Sequence, residues 1–267
     1  MAARGVRQRL LVPAGTPVPD LPGADVATFT NYGDEASVRE TLTGVTTLLF
    51  IPMREHAERA RMHVVAVDAA LDAGVERIVY SSFVGAGADS TFTLARDHAA
   101  TEQHLRSTGV PFTFLRGSAY MEVLRWIIGG DGVIRGPAGD GRVAPVARDD
   151  MADTAAAVLL SGGAHDGQTY DVTGPQRLTL GQVADEFSVA TGRQITYVDE
   201  TVEEAWASRR SYGAPDWQVE AWVSTYLQIA AGELDVVSDS VERIAGHLPV
   251  ALPEFLRRHP KEYEHLL

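Results

Sequence analysis

The chain has 267 residues, with 23 Lys and Arg against 36 Asp and Glu, a formal net charge of −13 and 45% apolar residues. This is the composition of a globular protein with one large domain or two unequal lobes. Because the sequence contains no cysteine, disulfides, thiolate metal sites and catalytic thiols are excluded. Nucleic-acid binding is disfavoured, since it needs a concentrated basic surface and no Lys/Arg run exceeds two residues, as at Arg257–Arg258.

The first nine residues contain three arginines, but no apolar segment of signal-peptide length follows them. No run of roughly 18 apolar residues occurs anywhere in the sequence. We therefore expect a cytoplasmic protein that is not embedded in a membrane.

Short β-rich runs alternate with helical patterns through the first half of the chain, which predicts parallel strands joined by crossover helices. The predicted strands are Arg9–Val12, Val26–Phe29, Val45–Ile51, Arg77–Phe83 and Phe112–Arg116. Two of them, around Thr46–Ile51 and Ile78–Tyr80, are apolar at consecutive positions and are expected to be central strands covered on both faces. The predicted fold is therefore a doubly wound, Rossmann-like α/β domain.

The sequence pattern changes after Tyr120, where glycine-rich turns separate short predicted strands. A helix at Asp149–Leu160, a strand at Thr169–Val172 and mostly helical sequence follow. We therefore predict a Rossmann-like domain over residues 1–128. Residues 129–267 are predicted to form a smaller α+β substrate lobe, partly interleaved with the sheet.

Five segments carry a family resemblance. Ala73–Ser82 and His98–Arg116 resemble the NmrA-like atypical short-chain dehydrogenases. Downstream, Gly139–Pro145, Asp149–Asp153 and Tyr170–Pro175 look like the substrate lobe of type-two NAD(P)H:quinone oxidoreductases. The resemblance implies binding of NAD(P)H and reduction of a quinone or a similar flat electrophile.

The family normally opens with a strand and a G-x-x-G-x-x-G turn, where a helix N-terminus holds the cofactor pyrophosphate. That turn does not occur here, and Ala2–Val6 resembles the end of the first helix. Either the start of the sequence is assigned about one βα unit too late, or the protein has lost the main pyrophosphate-binding element of the dinucleotide site. Pro13 stands where the family commonly has an arginine for the NADP phosphate, so NADP preference loses its support.

The Tyr-x-x-x-Lys pair used by many dehydrogenases of the wider superfamily is replaced here by Leu94-x-x-x-His98. A leucine cannot relay a proton, but quinone reduction can take protons from water or from another residue. A histidine can exchange a proton near neutral pH, so His98 is a candidate proton donor. The alternative is a structural histidine bonded to a carbonyl or to water.

The resemblance also assigns residues at the ends of predicted strands. It implies cofactor contacts from Pro52, Met53, Ser81, Ser82 and Gly117, because ligands of doubly wound sheets bind at the carboxyl ends of strands. The structural alternative is that the two serines and Pro52 merely end their strands.

The segment after Arg116 is implied to cross the nicotinamide toward the substrate. Ser118, Tyr120, Met121 and Trp126 are therefore the candidate substrate pocket, and Tyr120 is a candidate catalytic residue that could stack on a flat quinone. The competing interpretation is that Tyr120, Met121 and Trp126 form the core face of a helix. No metal site is predicted, since Asp149, Asp150 and Asp153 are explained by their place at a helix start.

Three functional hypotheses stay open at this point. The first is an NAD(P)H-dependent oxidoreductase acting on a small molecule. The second is a non-catalytic redox sensor with a protein partner, favoured by the missing tyrosine–lysine pair and glycine turn. The third is a cofactor-independent enzyme that reuses the cleft. A homodimer is compatible with each of them.

Overall fold

The computed structural model describes residues 1, 5–18, 21 and 23–266. The strands are β1 (Gln8–Pro13), β2 (Ala24–Phe29), β3 (Thr47–Phe50), β4 (Arg77–Phe83), β5 (Phe112–Gly117), β6 (Val133–Gly136), β7 (Arg142–Val143), β8 (Gln168–Val172), β9 (Leu178–Thr179) and β10 (Thr196–Asp199). The α-helices are α1 (Glu35–Leu42), α2 (Arg59–Asp72), α3 (Thr93–Thr108), α4 (Met121–Leu124), α5 (Arg148–Leu160), α6 (Leu180–Thr191), α7 (Val202–Arg210), α8 (Asp216–Ala230), α9 (Ser240–Ala245) and α10 (Leu252–Arg258). Short 3₁₀ helices lie at Arg125–Ile127 and Pro260–Leu266.

Four parallel strands form the main sheet in the order β3-β4-β5-β8. β4 is internal and five of its seven residues are buried, so the prediction of a central strand there is confirmed. β8 comes from the region predicted as the C-terminal lobe, and it pairs with β5. A strand from residues 129–267 thus completes the main sheet, while the division into two lobes at residue 128 stays a prediction.

The other expected central strand, β3, lies elsewhere in the sheet than predicted. It pairs with β4 on one side only, and within the described residues it ends its sheet. Three of its four residues, Thr47, Leu48 and Leu49, are only partly buried. The prediction was wrong because an apolar run shows that a strand can be covered on both faces but does not supply a neighbour for each of its edges.

β1 and β2 form a separate parallel pair. A cleft of about 700 Å³ lies between this pair and β3, lined by consecutive residues of both β1 and β3. Successive side chains of a strand point to opposite faces of its sheet. A cleft that consecutive residues of β1 and β3 line therefore runs along the edges of these strands and not over one face. The predicted helix end at Ala2–Val6 lies mostly outside the described residues, and Gly5 is in a turn.

Helices cover both faces of the main sheet. On one face, α1 and α2 pack with β3, β4 and β5 in a core that includes Val67, Ile78 and Phe114. On the other face, residues of α5 and α9 pack against Val79 and Leu115. The two apolar layers are what a doubly wound sheet requires, and they confirm the predicted fold class.

The C-terminal elements pack around a second core, formed by residues such as Ile134, Phe187 and Tyr226. Capping boxes start α6, which belongs to this core, and α7, which packs with α8 in a smaller cluster: Thr179 with Gln182 and Thr201 with Glu204. Each box satisfies backbone N–H groups that a helix start leaves unpaired. Among the described helices, none combines the length and apolar character that crossing a membrane requires.

Candidate active site

The carboxyl ends of three neighbouring strands meet at one edge of the main sheet. In the strand register Phe83 lies opposite Gly117, and Gly117 lies opposite Val172. The chain turns directly after these residues, and Ser118 N–H donates to Val172 O at 3.0 Å. Ligands of doubly wound sheets bind outside this edge, so we call it the carboxyl edge and locate the candidate site there.

Three of the predicted site residues come together at the carboxyl edge. The Tyr120 hydroxyl lies near Ser81, whose side chain favours the ionised phenol and lowers the pKa of Tyr120. It also lies 3.5 Å from the position that a Cβ of Gly117 would occupy. Burial raises the pKa of the Tyr120 phenol, against the lowering effects of Ser81 and of Arg148, whose guanidinium lies 5.5 Å from the ring centroid. The phenol therefore keeps its proton at neutral pH.

The remaining residues of the predicted substrate pocket lie in different environments. Ser118 is 1% exposed, and within the described structure its hydroxyl has no hydrogen-bond partner. Met121 is 2% exposed and belongs to the C-terminal core, as the core-face interpretation predicts. Trp126 is 66% exposed and lies against the Arg125 guanidinium, 4.5 Å from the ring centroid. Ser118 and Tyr120 are thus the two pocket candidates at the carboxyl edge.

Ser81 and Ser82 face opposite sides of the sheet, because side chains alternate along a strand. Ser82 donates to Glu102 Oε1 on α3 at 2.6 Å. Arg116 donates to the same carboxylate from Nε at 2.9 Å and from Nη2 at 2.6 Å. The Ser82 hydroxyl therefore serves a buried ion pair on the α3 side, whereas Ser81 faces Tyr120.

His98 lies on that same α3 side and is 5% exposed. Its Nε2 is 3.0 Å from Arg59 Nη2, and a guanidinium has only donors, so Nε2 accepts. The proton is then on Nδ1 and is donated to the Tyr80 hydroxyl at 2.9 Å. Burial, followed by the Arg59 charge, lowers the pKa of His98 well below its usual value.

The two candidate catalytic residues, His98 and Tyr120, therefore lie on opposite sides of the sheet. His98 is neutral and both of its ring nitrogens have partners, so this geometry favours the structural alternative for it. Its role as proton donor stays a prediction.

Pro52 and Met53 belong to the segment that follows β3, Ile51–Glu55. Tyr32 donates to Ile51 O at 3.0 Å, and Glu55 Oε2 accepts from Gln218 at 2.9 Å and from Trp222 at 3.1 Å. The segment is thus fixed to the elements on both sides of it. Its position after β3 is the one expected for cofactor contacts.

Comparison with known proteins identifies the family. The model of a family described as NAD(P)H-binding matches residues 2–161. Quinone oxidoreductase 2 of Escherichia coli is 34% identical over 84% of this chain and 79% of its own length. The chain belongs to the NAD(P)H-binding family.

Other members are similar over most of the chain. The NAD(P)H azoreductase of Xenophilus azovorans is 30% identical over 76% of this chain and 71% of its own length. The crystal structure of the E. coli NADPH-dependent quinone oxidoreductase with NADPH superposes with a TM-score of 0.78 at 33% identity, covering 88% of this chain and 83% of that one. The resemblance predicted from the sequence is confirmed.

The residues at the carboxyl edge fit one end of the family's cofactor. The buried Ser118 hydroxyl lacks a partner in the described structure, and a buried polar group of this kind calls for one. Beside it, the Tyr120 hydroxyl and Met151 lie 3.5 and 3.8 Å from the position that a Cβ of Gly117 would occupy. Among the described residues, however, the turn that leads into α1 contains the single glycine Gly33 and not the repeated glycines of the family's pyrophosphate turn. The fit therefore concerns the nicotinamide–ribose end of NAD(P)H.

Sequence reasoning did not find the polar groups beneath this edge: Arg59, His63, Glu102 and Arg116. A signal for part of this set was present. Positions 98, 101, 102 and 105 share one face of a helix, and three of these residues are polar although the face is buried. A polar face directed toward a sheet predicts partners there.

Proposed function

We propose that this protein is an NAD(P)H-dependent reductase of quinones or similar flat electrophiles. The observation that carries the proposal is the cluster of Ser81, Gly117, Ser118 and Tyr120 at the carboxyl edge of a chain that belongs to this family. Quinone plus NAD(P)H and one proton gives hydroquinone plus NAD(P)⁺. The cofactor, when bound, supplies the hydride.

The chain's own residues bind and orient. Ser118 offers a buried hydroxyl to a polar group of the cofactor, and the close approach of Gly117 to the Tyr120 hydroxyl fixes that hydroxyl at the strand end. Tyr120 holds a proton at its hydroxyl oxygen and can donate a hydrogen bond to a substrate oxygen as negative charge develops there. Holding two flat reactants in one orientation accounts for much of the rate in a reaction that needs no covalent intermediate.

The preference between NADH and NADPH is part of the test. Pro13 is the last residue of β1 and offers no positive charge to a 2′-phosphate. Arg9 is engaged elsewhere, since its Nη1 donates to Thr41 O at 3.0 Å and to Thr43 O at 2.8 Å at the C-terminal end of α1. We therefore expect discrimination of less than about tenfold between the two nucleotides, because the charge-assisted bonds that would separate them are lacking.

The test is oxidation of NADH and NADPH, followed at 340 nm under anaerobic conditions, with benzoquinone, a naphthoquinone and an azo dye as acceptors. We expect turnover with at least one quinone and a fall in kcat of about tenfold in Tyr120→Phe, the value of one lost hydrogen bond. Nucleotide binding without turnover would favour the sensor hypothesis. Absence of both binding and turnover would overturn the proposal.

The azo dye separates substrate classes, since turnover of the dye alone would replace quinones as the substrate. A homodimer, a regulatory partner and the cytoplasmic location stay predictions from the sequence.

A further inference from the structure

A buried polar network lies beneath the Ile51–Glu55 segment, and the function proposed above does not use it. Arg59 and His63 of α2 are 4% and 0% exposed. They lie between β4 and α3, where Tyr80, His98 and Thr101 are also buried. Buried polar side chains in such number are costly unless each is satisfied, so their partners show what the network holds.

Hydrogen-bond geometry fixes the protons of this network. Met53 N–H donates to His63 Nε2 at 3.2 Å, so Nε2 accepts and the ring proton of His63 is on Nδ1. That proton is donated to Thr101 Oγ1 at 3.0 Å, and Thr101 in turn donates to Asp97 O at 2.8 Å. The His63 ring is therefore neutral and has one possible orientation of its donor and acceptor.

Arg59 binds the backbone carbonyl of Met53, the residue whose N–H is bonded to His63. Its Nε donates to Met53 O at 3.0 Å, while Nη2 donates to His98 Nε2 at 3.0 Å and Nη1 lies 3.5 Å from Asp97 Oδ2. The planar guanidinium thus joins Met53 to α3 through a rigid fork. The backbone N–H and C=O of Met53 are both bonded to this network, and Met53 lies three residues after the end of β3, the terminal strand of the main sheet in the described structure.

We propose that Arg59 and His63 are positioning residues that fix the backbone of Met53, and with it the Ile51–Met53 part of the cofactor-binding edge. This role rests on the function proposed above. The two residues do not touch the reacting atoms. They set the distance between the Ile51–Met53 backbone and the nucleotide, so their loss weakens nucleotide binding rather than the chemical step.

The experiment compares His63→Leu with His63→Gln in the full chain, with NADPH as the nucleotide. The glutamine amide can accept from Met53 N–H and donate to Thr101, whereas leucine can do neither. In His63→Leu we expect KM for NADPH to rise about tenfold, the value of one hydrogen bond, with kcat for a quinone changed less than twofold. His63→Gln should restore KM to within threefold of wild type.

Amide hydrogen exchange at Met53, followed by NMR without nucleotide, gives a readout independent of activity. Protection at Met53 should fall at least tenfold in His63→Leu and return in His63→Gln. His104→Gln is the matched control, because His104 contacts the exposed Asp68 at 2.7 Å on the same pair of helices and is not part of the network. It should change neither Met53 protection nor KM.

Arg59→Lys provides a second variant that keeps the buried charge. One ammonium group cannot reproduce the fork between Met53 O and His98, so KM for NADPH should rise severalfold at unchanged kcat, which tests the proposal even if His63→Leu does not fold. Unchanged KM in Arg59→Lys, or equal impairment of His63→Leu and His63→Gln, would overturn it. Failure of the wild-type chain to bind NADPH would overturn the proposed function as well.

Discussion

The main sheet and the β1–β2 pair are built from similar apolar sequences but are stabilised differently. β4 and β5 each pair with a neighbouring strand on both edges. Their side chains also contact the covering helices, as Arg116 of β5 does with Glu102 of α3. In β1 and β2, only one of twelve residues is buried. The ion pair between Arg7, just before β1, and Asp25 of β2 is exposed to solvent. Isolated two-stranded sheets are marginal, so strand sequence alone does not decide how firmly a strand is held.

The largest expected effect of a substitution comes from breaking the ion pair between Glu102, which is buried, and Arg116, whose side chain is 25% exposed. Glu102 is 3% exposed and satisfies both Arg116 and Ser82. Removing Glu102 leaves the partly buried Arg116 with only the more distant Asp171 charge, so Glu102→Leu should lower the free energy of unfolding by about 2 kcal/mol. Urea denaturation measures it.

Its matched control is the double variant Glu102→Leu with Arg116→Leu, which removes both charges and should recover a large part of the loss. A single-variant loss below about 1 kcal/mol, typical of an exposed pair, would contradict the distinction between the two regions.

Amide hydrogen exchange compares the stability of the β1 backbone with that of β4 and β5. Amides of β4 and β5 should exchange only on global unfolding, whereas those of β1 should exchange through local opening. We expect the β1 amides to exchange at least about 100-fold faster, corresponding to a difference in opening free energy of nearly 3 kcal/mol. Equal protection in β1 and β4 would show that the pair is held by contacts outside the described structure.

Acid should weaken the main domain through its buried histidines. Burial, followed by the Arg59 charge, lowers the pKa of His63 from 6.5 to about 3. Below pH 6.5 the unfolded chain binds a proton there that the folded chain does not, so stability falls as the pH falls. From pH 6.5 to 5.5 this loss is about 1 kcal/mol for each such histidine.

The measurement is urea denaturation across that interval, with His63→Gln as the comparison. The variant should lose about 1 kcal/mol less than wild type over the interval. His247 titrates in the opposite direction, because the Leu248 carbonyl and nearby Asp150 and Asp153 raise its pKa, but it is present in both chains and cancels. A wild-type pH dependence identical to that of the variant would exclude His63 as a source.

Much of the fold followed from the sequence because strand and helix patterns are local. β4 was predicted at its observed ends, Arg77–Phe83. Edge pairing is not local, which is why β3 was misplaced. The opposite orientations of Ser81 and Ser82 were available from alternation, but their partners, Tyr120 and Glu102, were not, because those contacts depend on how helices pack on the sheet.

The smallest expected effect completes the comparison at the β1–β2 pair. Arg7 Nη2 lies 2.9 Å from Asp25 Oδ2, with side chains 83% and 50% exposed. Solvent screens such a pair, so Asp25→Ala should change the free energy of unfolding by less than about 0.5 kcal/mol. The same urea titration used for Glu102→Leu measures it, and raising the salt concentration should leave the difference near zero. A loss approaching that of Glu102→Leu would mean that this pair, despite its exposure, anchors β1 to β2 as firmly as a buried contact.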